Sequence, residues 1–112
     1  MHLTGYDIEC IKKAKDLIDA NFKRHHPIAE IAAYAGISQT RLKKGFKEIF
    51  NKGLYEYLHE GAMLKAVSLL ENTDKTIKDI SRTLGYKYPN NFCIAFKKRF
   101  GKTPRKWRID NP

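Results

Sequence analysis

Two groups of basic side chains in this sequence could bind a polyanion. The first lies in residues 38–47, which contain Arg41, Lys43, Lys44 and Lys47 and no acidic residue. The second lies in residues 87–108, where eight basic residues and no acidic residue are found: Lys87, Lys97, Lys98, Arg99, Lys102, Arg105, Lys106 and Arg108. A solvent-exposed helix face usually alternates charge signs. Together with a formal net charge of +10, this bias favours a polyanionic partner, and nucleic acid is the first candidate.

Nucleophilic and metal-ligating residues show no arrangement that catalysis or metal binding requires. The histidines fall in no metal-ligand spacing: His2, His25, His26 and His59. Neither Cys10 nor Cys93 has a plausible base beside it in the sequence. The sequence therefore predicts no catalytic residue, no metal site and no cofactor, and the chain is not expected to be an enzyme. His25 and His26 are interpreted as surface residues preceding Pro27.

Cysteine usage and hydropathy indicate the compartment. The cysteines match no C-x-x-C or disulfide-framework spacing, which favours a reducing environment such as the cytoplasm. No apolar run approaches the ~20 residues needed to cross a bilayer. The start of the chain is rich in charged residues and does not resemble a signal peptide. We therefore expect a cytoplasmic protein without a membrane partner.

The elements that position the basic groups are predicted to be helices, because apolar residues recur every three or four positions and β-branched alternation is absent. The expected fold class is all-α. A first helix is predicted from about Tyr6 to Asn21, with Thr4 and Asp7 forming a capping box at its start. Its buried face is predicted to consist of Ile8, Ile11, Ala14, Leu17 and Ile18.

An internal repeat organises the remainder of the chain. At an offset of 49 residues, Ile28, Ile31, Ala35, Gly36 and Ile37 correspond to Ile77, Ile80, Leu84, Gly85 and Tyr86. At an offset of 50, Leu42, Phe46, Lys47 and Phe50 correspond to Phe92, Phe96, Lys97 and Phe100. The second copy thus carries one extra residue in its turn. Gly53 and Gly101 are expected to close the two copies.

Each copy is predicted to be a helix-turn-helix motif. Gly36 and Gly85 would supply the positive φ that such a turn requires, and the apolar positions would pack the two helices together. The outer face of the second helix then stays free to enter a major groove. The alternative is an ordinary helical hairpin, but the charge clusters of one sign favour groove reading.

A long helix is expected to join the two copies. Residues 54–72 carry apolar side chains at helical spacing, and at 1.5 Å per residue this helix would be roughly 28 Å long. That length compares with ~34 Å between successive major-groove faces. We predict two homeodomain-like three-helix lobes, at about 6–53 and 73–108, with about seven helices in all. Thr103 and Pro104 predict a short final helix, whose Trp107 covers the core of the second lobe.

The second copy ends in the run Phe-Lys-Lys-Arg-Phe-Gly-Lys-Thr-Pro over residues 96–104, followed by Trp107 and Arg108. Two helix-turn-helix units, a long connecting helix and this ending resemble the AraC/XylS family of bacterial transcription regulators. The resemblance implies that residues 1–112 form an AraC-type DNA-binding domain. Ala62 departs from the family pattern, which commonly has arginine there, so a contact through that arginine is not expected.

The resemblance also implies which residues contact DNA. In the first recognition helix the base-reading positions fall on Thr40, Lys43 and Lys44, with Ser38 and Arg41 near the phosphates. The spacing agrees independently, because these lysines, Thr40 and Lys47 share one side of a helix whose opposite side is apolar. Lysine can donate to guanine O6 and N7, and a threonine methyl can touch that of thymine.

In the second recognition helix the corresponding base-reading positions are Asn90, Asn91, Cys93 and Ile94. Asparagine can bridge adenine N6 and N7, whereas the other two offer apolar contact. The basic residues around them are assigned to phosphates, which set register and affinity without reading sequence: Lys87, Lys97, Lys98 and Arg99. Lys47 has the same role in the first lobe.

We therefore expect sequence-specific binding to double-stranded DNA, with the two recognition helices in successive major grooves of an asymmetric promoter site. The chain would bind as a monomer unless it belongs to a longer dimeric regulator. The resemblance implies transcription activation, with RNA polymerase as a second partner. The competing hypothesis is a basic helical protein-interaction module without specific DNA binding, which would show no affinity for random duplex at low salt.

Overall fold

The computed structural model describes residues 2–20 and 27–112. Over these ranges the chain forms α-helices and no strand, as predicted. The helices are α1 (Gly5–Ala20), α2 (Ile28–Ala35), α3 (Gln39–Phe50), α4 (Leu54–Asn72), α5 (Ile77–Thr83), α6 (Pro89–Phe100) and α7 (Pro104–Asp110). The predicted end of the first helix at Asn21 and the histidine pair before Pro27 lie outside the described residues.

Side-chain caps begin the helices where the sequence predicts them. The Thr4 hydroxyl accepts from the Asp7 amide at 3.1 Å, and the Thr4 amide donates to the Asp7 carboxylate at 3.0 Å. This reciprocal pair confirms the capping box. The hydroxyls of Thr76 and Thr103 accept from Asp79 and Lys106 amides at 3.0 and 3.2 Å, so α5 and α7 also start at a threonine cap.

The turns inside the two motifs have the backbone conformation that the glycines predict. Gly36 has φ 78° and Gly85 has φ 87°, and both are confirmed as left-handed positions. The prediction that a glycine closes each motif is confirmed for the second motif and wrong for the first. Gly101 closes α6 with φ 81°, but α3 is closed by Asn51 with φ 58°, while Gly53 has φ −61° and caps the start of α4. Asparagine tolerates this conformation because its short side chain bonds locally.

Two separate hydrophobic cores share α4. Helices α1, α2 and α3 pack together around the first core, to which α4 contributes Leu54 and Leu58. Helices α5, α6 and α7 enclose the second, to which α4 contributes residues from Ala62 onward. The repeat-equivalent Phe46 and Phe96 are each 0% exposed at the centre of their cores. The molecule is therefore elongated, 49 Å by 22 Å by 22 Å, with its two lobes joined through one helix.

The buried face of α1 differs from the predicted one. Ile11, Ala14 and Ile18 are buried, but Ile8 and Leu17 are only half-buried. Cys10 and Asp7 are buried in their place, and the Cys10 thiol lies 3.8 Å from the Gly36 carbonyl oxygen. The difference arises because α1 lies against both α2 and α3, which covers a side of the helix that apolar periodicity alone does not mark.

The final helix closes the second core. The Trp107 ring packs edge-on against Phe96, with centroids 5.7 Å apart, and its indole nitrogen donates to Glu71 at 3.0 Å. The predicted covering role of Trp107 is confirmed. Arg108, one of the basic residues of the second cluster, donates to the carbonyl oxygens of Leu70 and Thr73 at 3.1 Å. It thereby satisfies backbone acceptors left open where α4 ends.

Candidate nucleic-acid interface

Helix α3 presents a basic outer face in the first lobe. Leu42 and Phe46 are fully buried on its inner side, which fixes the opposite side toward solvent. The exposed side carries Thr40, Lys43, Lys44 and Lys47. Ser38 starts the helix, and its hydroxyl accepts from the Arg41 amide at 3.2 Å. The structure thus brings four of the predicted contact residues of this helix onto one accessible surface.

Helix α6 presents the equivalent face in the second lobe. Phe92 and Phe96 anchor its inner side, while Asn90, Asn91 and Ile94 are exposed, Ile94 by 67%. Cys93 differs from the other predicted base-reading residues, because it is half-buried and packs against the second core. That burial raises the pKa of the Cys93 thiol, so it stays protonated and can offer a base edge only a small apolar contact.

The predicted phosphate-binding lysines remain accessible. Lys87 precedes α6, and its ammonium nitrogen lies 5.4 Å from the centre of the Tyr88 ring. Lys97 and Lys98 are exposed toward the end of α6. Long basic side chains at such positions can follow a phosphate strand while their stems pack on the protein.

Arg41 is bound within the protein. Its guanidinium forms an ion pair with Asp7, with Nε 3.3 Å from Oδ1, and Nη2 also donates to the His2 carbonyl oxygen at 3.0 Å. The Arg41 guanidinium and the Thr4 amide hold the pKa of the Asp7 carboxyl far below its usual range. The phosphate contact assigned to Arg41 stays a prediction, but the pair itself fastens α3 to the start of α1.

The Asp7 pair predicts a dependence of stability on acid. A carboxyl whose pKa is lowered in the folded state adds stability that is complete above its unfolded pKa of about 3.9 and is lost as the pH falls further. Asp7→Asn should therefore be less stable than wild type in urea denaturation at pH 7, and the gap should narrow toward pH 2.5. Asp16→Asn, an exposed position on the same helix, is the control. A gap that is equally large at both pH values would contradict this account.

Arg99 forms an ion pair in the second lobe, at a position that does not match Arg41 in the repeat. Its Nε and Nη2 donate to the two carboxylate oxygens of Glu60 at 2.9 and 2.6 Å, a bidentate arrangement. Arg99 lowers the pKa of the Glu60 carboxyl. Glu60 lies on α4 between Leu58 of the first core and Ala62 of the second. The pair thus ties α6 to the middle of α4, and a phosphate contact by Arg99 stays a prediction.

One face of α4 lies beside both recognition helices. The Lys43 ammonium nitrogen is 5.5 Å from the centre of the Tyr55 ring, and Tyr55 is 61% exposed. His59, one turn further along, lines a groove of about 490 Å³ together with Asn91, Ile94 and Lys98 of α6. Residues four apart share a helix face. Both predicted reading surfaces therefore border the same side of α4, and sequence reasoning did not assign Tyr55 or His59 to the site.

Within residues 2–20 and 27–112, no three His, Cys, Asp or Glu side chains come together in a way that could hold a metal ion. None of the described helices is long and apolar enough to span a bilayer.

Known proteins share this arrangement. Residues 31–109 match the family model of the helix-turn-helix domain. The chain is 35% identical over 100 residues to the lactose operon transcription activator of Staphylococcus xylosus, which covers 89% of this chain and 36% of the activator. More generally, the chain spans 14% to 36% of the length of the curated relatives it matches.

Solved structures have the same fold. A transcriptional regulator of Chromobacterium violaceum with an AraC-type DNA-binding domain is 26% identical with a TM-score of 0.78, and the match covers 96% of each chain. The DNA-binding domain of the transcriptional factor AdpA, solved with a target DNA, has a TM-score of 0.81 at 18% identity and covers 91% of this chain and 92% of its own. The repeat, the two cores and these likenesses agree, and the chain belongs to the AraC/XylS family of helix-turn-helix transcription regulators.

Proposed function

We propose that this chain binds one asymmetric DNA site as a monomer, with α3 and α6 in successive major grooves. The observation that carries the proposal is the pairing of two exposed faces, each opposite a buried phenylalanine, beside one side of α4. One chain supplies both reading helices, so two-fold symmetry of the site is not required. The excess of basic residues on these faces suits the phosphate-rich surface of a duplex.

The two faces should prefer different bases. In the first, Lys43 and Lys44 would donate to guanine O6 and N7, and Thr40 would touch a thymine methyl. In the second, Asn90 and Asn91 would bridge adenine N6 and N7, and the exposed Ile94 would make an apolar contact with thymine. Cys93 keeps a minor role in this proposal because it is half-buried. Lys47, Lys87, Lys97 and Lys98 would contact phosphates.

Selection of bound sequences from a random duplex library, followed by footprinting of the selected site, tests this function. The expected result is a non-palindromic site with two protected major-groove segments about one helical turn apart. A single protected turn, or a palindrome bound by two chains, would overturn the monomeric two-helix arrangement. Failure to select any sequence over random duplex would overturn specific binding itself.

Substitutions of two lysines should distinguish base reading from phosphate binding. Lys44→Ala is expected to lose about 1–3 kcal/mol of discrimination at one base pair of the selected site and to change random-duplex binding little. Lys98→Ala should weaken all sequences alike and reduce the slope of log K against log salt by roughly 0.9. Fluorescence anisotropy on selected and random duplexes at several salt concentrations measures both effects.

The two variants serve as controls for each other, because each removes one exposed ammonium group from a recognition helix. Equal losses on selected and random duplexes for both variants would remove the proposed division of roles. So would a loss of specificity in Lys98→Ala alone.

The regulatory outcome is also proposed. Activation through contact with RNA polymerase, in the cytoplasm, is supported by the 35% identity to a lactose operon activator. The chain spans only 36% of that activator, so this proposal concerns what the DNA-binding domain alone does when it is bound to DNA. Reconstituted transcription from a promoter that carries the selected site would show whether bound protein raises or lowers the initiation rate.

A further inference from the structure

We infer that Asp7 is a positioning residue for DNA binding, which holds the Arg41 guanidinium so that its Nη1 nitrogen donates to a phosphate beside the first major groove. The inference rests on the proposed function, because it requires α3 to lie in that groove. It adds a residue of α1 to the binding machinery, although the Asp7 side chain is only 8% exposed and is too deeply buried to meet DNA itself.

The first argument is the position of Arg41 on α3. Lys44, three residues further along, is exposed, whereas Gly45, four residues further along, is buried, and a side chain there would collide with Ile11 of α1. Residues three or four apart are neighbours on a helix surface. Arg41 therefore lies at the edge where the exposed side of α3 meets α1. Base edges form the floor of a major groove and phosphate strands form its walls, so this edge faces phosphates.

The second argument is the geometry of the guanidinium. Its Nε lies 3.3 Å from Asp7 Oδ1, while Nη2 is bound to Asp7 Oδ2 and donates to the His2 carbonyl oxygen at 3.0 Å. Within the described ranges, 2–20 and 27–112, Nη1 has no hydrogen-bond partner, and the Arg41 side chain is 38% exposed. Because the guanidinium is planar, holding Nε and Nη2 also fixes the direction of the Nη1 hydrogens.

The third argument is that Asp7 is itself held in place. The Thr4 amide donates to the Asp7 carboxylate at 3.0 Å, and the Asp7 amide donates to the Thr4 hydroxyl at 3.1 Å. The carboxylate is therefore fixed to the first turn of α1, and α1 packs against both α2 and α3. Ordering a long side chain weakens binding when the ordering takes place on binding. Here the ordering of Arg41 is already complete in the folded protein.

The carboxylate also has an opposing effect, because a negative charge near DNA repels phosphates. The two effects predict opposite signs for Asp7→Asn: charge alone would make the variant bind every duplex more tightly, whereas loss of positioning would weaken binding. We expect positioning to dominate, since ordering a side chain such as arginine on binding lowers affinity about two- to tenfold. The charge of Asp7, in contrast, is already paired with the guanidinium.

Methylphosphonate substitution of the DNA tests the inference. Single phosphates of the selected site are replaced by neutral methylphosphonates, and the affinity of each duplex is measured by fluorescence anisotropy. For wild type we expect about a tenfold loss at one phosphate beside the first protected groove, the size expected for a hydrogen bond to a charged group. In Arg41→Ala that loss should disappear, while losses at other phosphates persist.

Asp7→Asn should bind the unmodified selected site about two- to tenfold more weakly than wild type and should lose less affinity at that same phosphate. Asp7→Glu keeps a carboxylate and a side chain that suits the capping box, so it should recover part of both effects. A role confined to stability would not change the sensitivity to one phosphate.

Arg41→Lys keeps the test informative if Asp7→Asn weakens the packing of α1, because it leaves Asp7 and its cap intact. Lysine retains the charge but has no planar fork to hold on two edges, so the loss at the same phosphate should again become smaller. Asp16→Asn is the matched control, since it removes an exposed carboxylate from α1, and its phosphate profile should be that of wild type. Circular dichroism and thermal melting establish that each variant is folded.

Three outcomes would overturn the inference. If wild type binds its selected site but Asp7→Asn keeps the wild-type affinity and phosphate profile, or binds every duplex more tightly, Asp7 does not position Arg41. If Arg41→Ala keeps the wild-type profile, Arg41 makes no phosphate contact. The two-helix function stands in both cases. If no sequence is bound above random duplex, both proposals fail.

Discussion

Phe96→Ala is expected to unfold the second lobe and leave the first lobe folded. Phe96 is fully buried and contacts the rings of Phe92, Phe100 and Trp107, so truncation removes the centre of one small core. Loss of a buried phenylalanine costs about 3–5 kcal/mol, which is a large part of the stability of a small domain. The first core contains none of these rings, and the two cores share only α4.

Residue-resolved hydrogen exchange by NMR measures this prediction. In Phe96→Ala, amides of α5, α6 and α7 should lose protection, whereas amides of α1, α2 and α3 should keep it. The repeat provides a matched variant, since Phe46→Ala removes the equivalent ring from the first core and should reverse the pattern. Loss of protection over both lobes together, in either variant, would show that the lobes fold as one cooperative unit.

Phe96→Ala and Phe46→Ala should each reduce the affinity for the selected duplex to that of a protein with a single recognition helix. Linked binding sites gain 10²–10⁴ in affinity over either site alone, so the loss on the selected duplex is expected in about that range. Random duplex should suffer less, because its binding depends on phosphate contacts that the remaining lobe still makes.

Inserting five base pairs between the two half-sites should have an effect of similar size. A turn of duplex contains about 10.5 base pairs, so five extra pairs rotate one half-site to the far side of the DNA. Because α4 runs without interruption from Leu54 to Asn72, α6 cannot follow this rotation. We expect a loss of about 10²-fold or more in affinity, down to that of one half-site.

Duplexes with ten inserted pairs complete the experiment. They restore the rotational phase but add about 34 Å of separation, which a helix of fixed length cannot bridge, so binding should stay weak. The control duplex carries the five pairs outside the site. Equal affinity for all spacings would mean that the two recognition helices do not bind together, and recovery at ten pairs would mean that the lobes separate.

The local structure of this protein was largely predictable from its sequence. Apolar spacing predicted α4 from Leu54 to Asn72 as observed, Thr103 predicted the start of α7, and Gly36 and Gly85 predicted the turns. These features depend on φ preferences, caps and periodicity within about one or two helical turns, which neighbouring residues determine by themselves. The inward and outward sides of α3 and α6 followed from the same periodicity.

Only the tertiary structure decided which basic side chains form ion pairs within the protein. Arg41 and Arg99 look like DNA-binding arginines in the sequence, yet Asp7 and Glu60, which are distant in the chain, engage them. Arg108 likewise donates hydrogen bonds to carbonyl oxygens at the end of α4. The sequence also did not predict that Tyr55 and His59 lie beside the two reading surfaces. An ion pair or a shared surface depends on distances across the folded chain, which composition and periodicity do not encode. The sequence therefore determined the helices, and packing determined which basic side chains are paired within the protein.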